Sequence, residues 1–105
     1  MKRYDIRWAN LDPTVGSEMR KTRPVVIVSL DALNDKLDTV VICPLTTSLH
    51  PAWRSRLQVR AANRHAEIAV DQIRTVSKSR IDKLDELSEK EAAALRRLIV
   101  EMYGE

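Results

Sequence analysis

The stretch "PVVIVSL", residues 24–30, sets four β-branched residues in an unbroken run behind a proline. Branching at Cβ favours extended backbone, and a run without polar alternation suits a strand buried on both faces. Pro24 stands first, where a missing N–H does least harm to a ladder. A strand covered on both sides needs neighbours to cover it. Upstream, Tyr4–Ala9 alternates, with Tyr4, Ile6 and Trp8 against Asp5 and Arg7, and reads as a first strand. The intervening "NLDPTVGSEMRKT", residues 10–22, is a loop marked by Asp-Pro and Gly16. Downstream, a surface turn over "DALNDKLD", residues 31–38, leads to a strand Thr39–Leu45 interrupted by Pro44. Ser55–Arg60, Glu67–Val70 and Gln72–Val76 complete the expected strands, and a helical turn is expected near Ser77–Lys83.

The end of the chain changes period. Ser88 and Glu91 form a capping box, in which the serine oxygen takes one freed backbone N–H and the glutamate reaches back to another. Leu95, Leu98, Ile99 and Met102 then fall on one helical stripe, and Gly104 stops the helix. Five or six short strands followed by one amphipathic helix make an α+β domain, its sheet strongly curled because so few residues must close a core.

The 105 residues suit a single domain spanning 1–105, and a hydrophobic share of 44% argues against disorder. No apolar run reaches membrane-spanning length, and "MKRYDIRWAN" has no apolar signal core, so a soluble, cytoplasmic protein is expected. Cys43 has no second cysteine to pair with and lies in an apolar run, as a buried inert thiol would. The net charge of +3 is unevenly spread: residues 1–80 carry +6 and residues 81–105 carry −3. Arginine outnumbers lysine 12 to 6, and residues 50–66 hold four arginines and no acid. Planar guanidinium forks suit phosphate, so a polyanion is a plausible partner.

Four pieces could carry chemistry. In "GSEMRKTRP", Arg23 is held extended by the proline after it, and Glu18 lies near enough in sequence to fold back on it. Such an arginine is a candidate phosphate clamp; an ordinary surface ion pair is the simpler alternative. "CPLTTS" ends a strand in Thr46, Thr47 and Ser48, hydroxyls that can donate to phosphate or satisfy their own turn. In "VDQIRT", Asp71 is either a proton acceptor or a turn former, with Gln72 beside it. In "HPAWRSRLQVRAANRH", Trp53 next to Arg54 and Arg56 can stack an unpaired base or simply cover the core. His50 and His65 have no metal-ligand spacing, and no phosphate-cradling glycine motif is present, so neither a metal nor a cofactor is expected.

Taken in order, "LDPTVGSE…TRPVVIVS", "CPLTTS" and "VDQIRTVSKSRI" resemble the MazF/PemK (Kid) toxins of bacterial toxin–antitoxin systems, over nearly the whole chain. The resemblance implies an SH3-like curled antiparallel β-barrel with a C-terminal helix, and a homodimer. It further implies a sequence-specific, metal-independent endoribonuclease acting on single-stranded RNA and restrained by an antitoxin. In the MazF branch the positions of Arg23 and Thr46 carry cleavage with Glu18 assisting, and in the PemK/Kid branch the position of Asp71 takes part, so these four are the catalytic candidates. The nearby hydroxyl, amide, basic and aromatic residues Ser17, Arg20, Lys21, Thr47, Ser48, Trp53, Arg54, Arg56 and Gln72 are the expected RNA contacts. The surface from Arg54 to Arg64 is where an acidic antitoxin tail would compete with RNA. The sequence departs from the PemK/Kid branch at Ser17 and Ala69, where that branch carries a histidine and an arginine. Met19 and Lys21 stand where many relatives carry glutamine and glycine. Two other readings remain: a non-catalytic RNA-binding module, and a gyrase poison of the related CcdB type.

Overall fold

The structure is a computed structural model that describes residues 1–12, 16, 18, 21–61 and 64–104, and for residues 83–86 the backbone alone. Among the described residues it contains seven strands, β1 (Asp5–Asn10), β2 (Thr22–Ile27), β3 (Thr39–Thr46), β4 (Arg56–Ala61), β5 (Arg64–Ala69), β6 (Arg74–Ser77) and β7 (Ile81–Glu86). Two helices accompany them, α1 (Asp31–Lys36) and α2 (Glu89–Tyr103). Every strand pairing is antiparallel, in the order β4-β5-β3-β2-β1-β7 with β6 also on β3. This is the curled α+β architecture expected from the sequence.

β2 lies at the centre, and Val25, Val26 and Ile27 are all fully buried. Its alternate residues feed two cores. Val26 joins Ile6, Leu45, Ile68 and Leu95 on one side, while Val25 and Ile27 join Ala9, Leu11, Val40 and Ile42 on the other. Pro24 is the third residue of β2 rather than its first. It is tolerated because β3 joins β2 only from Val25 onward, so Pro24 has a strand neighbour on one side alone.

β3 runs through Pro44 without the expected interruption. One edge of β3 pairs with β6 over Thr39–Ile42 and with β5 over Leu45–Thr46. Pro44 sits at the change of partner, where no ladder bond to either is forfeited. That change bends the sheet on itself.

Val70 and Gln72, expected as strand ends, form a 3-10 turn with Asp71, and two further elements differ from the sequence reading. Residues 31–36 form a helical turn, α1, where a surface turn was expected; its N-cap Leu30 offers no side-chain hydrogen bond, so no capping signature marks it. Asn34 is buried there and donates to the Ser29 carbonyl at 3.0 Å. Residues 81–86 form a seventh strand along β1, although "IDKLDE" is too charged to read as one. The expected helical turn near Ser77–Lys83 is a single turn of 3-10 helix at Lys78–Arg80.

α2 is capped as expected: Glu91 N–H donates to Ser88 Oγ at 3.1 Å and Ser88 N–H donates to Glu91 Oε1 at 3.2 Å. Leu95 is fully buried, and Leu98, Ile99 and Met102 pack on the first core. Among the described residues no helix is long and apolar enough to cross a membrane.

Candidate active site

The first core does not fill its end of the barrel. Ala61 and Ala66, on neighbouring positions of the β4–β5 hairpin, are small, and with Leu45 they floor a cleft of about 490 Å³. Trp8 and Pro24, direct cross-strand partners on β1 and β2, line it from the other side. Its rim is polar: Arg23 and Thr22 from the start of β2, Thr46 from the end of β3, Thr47 and Ser48 just beyond, and Arg64 from β5. The cleft therefore combines an apolar floor, two guanidinium groups and several hydroxyls. Arg23 and Thr46, twenty-three residues apart in sequence, meet here because β2 and β3 are adjacent and antiparallel.

The loop ahead of β2 is pinched at its base. Leu11 N–H donates to the Lys21 carbonyl at 3.0 Å, and Lys21 N–H donates to Asp12 Oδ1 at 3.0 Å. Lys21 adopts φ +66°, the left-handed region where a side chain carries strain. Arg80 donates to the Asp12 carbonyl at 2.6 Å, and Arg74 lies 3.5 Å from both the Leu11 carbonyl and Glu18 Oε2. The arginine of "VDQIRT" thus ties β6 to the loop that precedes Arg23. Ser17 and Arg20, expected to touch RNA, lie outside the described residues.

Asp71 and Gln72 occupy a 3-10 turn after β5 and are not among the residues lining the cleft. Asp71 Oδ1 accepts from Arg56 Nε at 2.8 Å, and Arg56 Nη1 donates to Glu67 Oε1 at 3.1 Å. Glu67, fully buried, also accepts from Gln58 at 2.5 Å and from His50 N–H at 2.7 Å. Side-chain alternation puts Gln58 and Glu67 on the hairpin face opposite Ala61, Arg64 and Ala66, so this ionic cluster backs the cleft.

Burial pushes both carboxyls up. Their hydrogen bonds and the Arg56 charge outweigh it, and both are held below the ordinary carboxylate range. Burial likewise pulls Arg56 down, but its bonds to Asp71 and the Asp71 and Glu67 charges raise it overall. Burial, reinforced by the charge of Asp71, pushes the Cys43 thiol up to about 12, the inert thiol the sequence suggested.

Trp53 belongs to the same cluster. His50 stacks on it at 4.0 Å between ring centroids and 12° between planes, and the Arg56 guanidinium sits 4.7 Å from its centroid. Of the four arginines in the basic run, Arg56 is enclosed, with its side chain 6% exposed, and Arg54 pairs with Glu101 on α2. Arg60 and Arg64 are exposed.

Trp8 and Glu67 are residues the sequence did not single out, and Arg64 was read there only as part of the basic run, not as part of the cleft. Glu67 had a signal, a lone acid inside the apolar "AEIAV", which demands a buried partner. Trp8 had none, and nothing in the basic run placed Arg64 beside Arg23, because that closeness depends on strand order.

These features define a small curled β-barrel with an arginine- and hydroxyl-rimmed cleft at one end. Residues 2–103 match the family described as the PemK-like, MazF-like toxin of type II toxin–antitoxin systems, and the chain belongs to that family. It is 32% identical over 106 residues to endoribonuclease EndoA of Bacillus subtilis, covering 91% of each chain. Its fold is similar to the crystal structure of MazF from Deinococcus radiodurans, with a TM-score of 0.87 and 22% identity over 100% of this chain and 97% of that one. It is also similar to a mycobacterial endoribonuclease solved in complex with its cognate antitoxin, with a TM-score of 0.83 and 20% identity over 99% and 95% of the two chains.

Proposed function

We propose that residues 1–105 form one toxin domain that cuts single-stranded RNA at specific sequences without a metal, working in the cytoplasm as a homodimer under the control of a cognate antitoxin. The observation that carries the reading is the convergence of Arg23, Thr46, Thr47 and Ser48 on one cleft. Family membership and an endoribonuclease relative at 32% identity support the same activity. They favour it over binding alone and over a gyrase poison.

RNA supplies its own nucleophile, the 2′-OH beside each phosphate. The protein has to hold the backbone for in-line attack, take one proton and stabilise the charge gathering on the phosphoryl oxygens. Arg23 and Thr46 are the donors to those oxygens in this scheme, with Thr47 and Ser48 holding the strand. The 2′-oxygen bonds to phosphorus, the P–O5′ bond breaks, and the ends are a 2′,3′-cyclic phosphate and a 5′-hydroxyl. A guanidinium, with no lone pair to offer, is a poor proton acceptor. Asp71 is committed to Arg56 behind the hairpin. Glu18 also has an arginine neighbour, Arg74 at 3.5 Å, but it lies on the loop that leads into Arg23 and its side chain is 43% exposed, so it is our candidate acceptor for the 2′-OH proton. The departing 5′-oxygen is protonated from solvent.

Exposed apolar side chains gather where α2 ends: Val100 and Tyr103 on the helix, with Leu49 and Trp53 on the loop tied to it through Arg54–Glu101. This patch suits the second copy of a homodimer, and the Trp53 cluster then sits near that boundary. The antitoxin's acidic tail is drawn to the exposed Arg64 on the rim of the cleft.

The test is cleavage of a mixed single-stranded RNA pool with chelator present. The parent should cut at defined sites, and Arg23→Lys, which keeps the charge but loses the planar fork, should lose most of the rate at unchanged Tm. RNA binding without cleavage would support the non-catalytic module. Full activity of Arg23→Lys removes the clamp from the scheme.

A further inference from the structure

The phosphate chemistry accounts for the polar rim of the cleft but not for its apolar floor. A phosphodiester needs donors; it has no use for a tryptophan, a proline and two alanines. Trp8 is 40% exposed although it continues the row of the buried Ile6 along β1. The ring is left open because Ala61 and Ala66 stand where larger residues would meet it. Pro24, its direct partner on β2, gives it a rigid apolar flank. Trp53, the other tryptophan, already carries the His50 ring and the Arg56 guanidinium.

We propose that Trp8 is the stacking platform for one unpaired base of the RNA strand, seated on the Ala61–Ala66 floor, while Arg64 meets a neighbouring phosphate. The inference deepens the ribonuclease reading and rests on it. A cavity of about 490 Å³ has room for a nucleobase, within the roughly 300–1,000 Å³ of small-molecule sites. Aromatic rings hold unpaired bases by their π-faces, and an adjacent cation follows the backbone. Seating one base beside Arg23 and Thr46 fixes which phosphate comes within their reach. Trp8 is thereby a positioning residue for cleavage, and the floor is a determinant of which base is accepted.

Binding rather than cleavage tests this directly. Two probes are used, both resistant to 2′-OH attack: a fully 2′-O-methylated random-sequence RNA 12-mer, and an abasic 2′-deoxyribose 12-mer of equal charge. The parent should prefer the base-bearing strand. Trp8→Ala should lose roughly tenfold to a hundredfold in affinity for it and nothing for the abasic strand. Trp8→Phe should recover most of the loss, and circular dichroism verifies that both variants are folded. Arg64→Ala should weaken both strands alike and lower the salt dependence of log K by about one ion. In Trp53→Phe, which leaves Trp8 as the only indole, the base-bearing strand should quench the fluorescence. Equal binding of the base-bearing strand by parent and Trp8→Ala overturns the platform while leaving the nuclease reading intact. A parent that binds neither probe and cuts no RNA overturns both.

Discussion

Arg56→Met is the substitution whose cost the structure specifies most closely. The Arg56 side chain is 6% exposed, and its partner Glu67 is 0% exposed. Removing the guanidinium leaves a fully enclosed carboxylate with only neutral donors, Gln58 and the His50 N–H. Breaking a buried pair from one side costs about 3–5 kcal/mol, because the remaining charge stays desolvated. Losing the Arg56 contact to Trp53 adds about 0.5–1 kcal/mol. Asp71, 29% exposed, is partly rehydrated and adds little. A loss of about 4 kcal/mol is a large share of the ~5–15 kcal/mol that holds a domain together. At ~4–8 °C per kcal/mol it lowers Tm by roughly 15–30 °C. The double variant Arg56→Met/Glu67→Leu removes both charges and should recover most of that loss, since apolar replacement of a whole buried pair is often near neutral. Thermal and urea unfolding of the parent, both single variants and the double variant measure the coupling. A single-variant loss below about 1 kcal/mol, or strictly additive losses, would show that the cluster behaves as a surface ion pair and refute the reasoning. The cluster matters to the cleft because Glu67 anchors His50, two residues beyond Ser48 on its rim.

Three further outcomes follow from single features. Glu67 and Asp71 have lowered folded-state pKa values, so their contribution is complete above the ordinary carboxylate range and is lost as pH falls through the lowered values. Tm should hold level from pH 7 to about 5 and fall below about 4; a Tm that climbs on acidification contradicts the assignment. Lys21→Gly exchanges a strained φ of +66° for a residue that adopts it freely. The relief of ~1–2 kcal/mol, less ~0.5–1 kcal/mol of glycine entropy, should raise stability slightly in urea unfolding. Val100→Asp, at a residue 60% exposed, should leave the fold intact and convert the proposed dimer to monomer in sedimentation; a parent that is already monomeric contradicts the dimer, and an unchanged dimer moves the interface elsewhere.

What could be read in the sequence was whatever local chemistry fixes. The Ser88–Glu91 box and the Leu95–Met102 stripe define α2 because cap and periodicity lie within one element. The β-branched run at Val25–Val28 required a core on both sides, and β2 has one on each. By contrast, β7 is held by pairing with β1, seventy-odd residues away, and its charged residues carry no strand pattern of their own. α1 lacks a capping side chain, so nothing local separated it from a turn. The site divided in the same way. Arg23 and Thr46 stood out from ordered motifs, and strand pairing brings them to one cleft. Asp71, equally prominent in its motif, faces Arg56 instead, because side-chain alternation along the β4–β5 hairpin separates the two faces. Trp8 and Arg64 reach the cleft only through the order of strands.

The central claim is that the cleft promotes attack by the RNA's own 2′-oxygen. The decisive substrate is a single-stranded RNA carrying one 2′-deoxy nucleotide immediately 5′ of a mapped cleavage site, assayed with chelator beside its all-ribose twin. The account predicts a cut twin ending in a 2′,3′-cyclic phosphate, read by mass spectrometry, and a deoxy strand that stays whole. Cleavage of the deoxy strand at the same phosphate would contradict it.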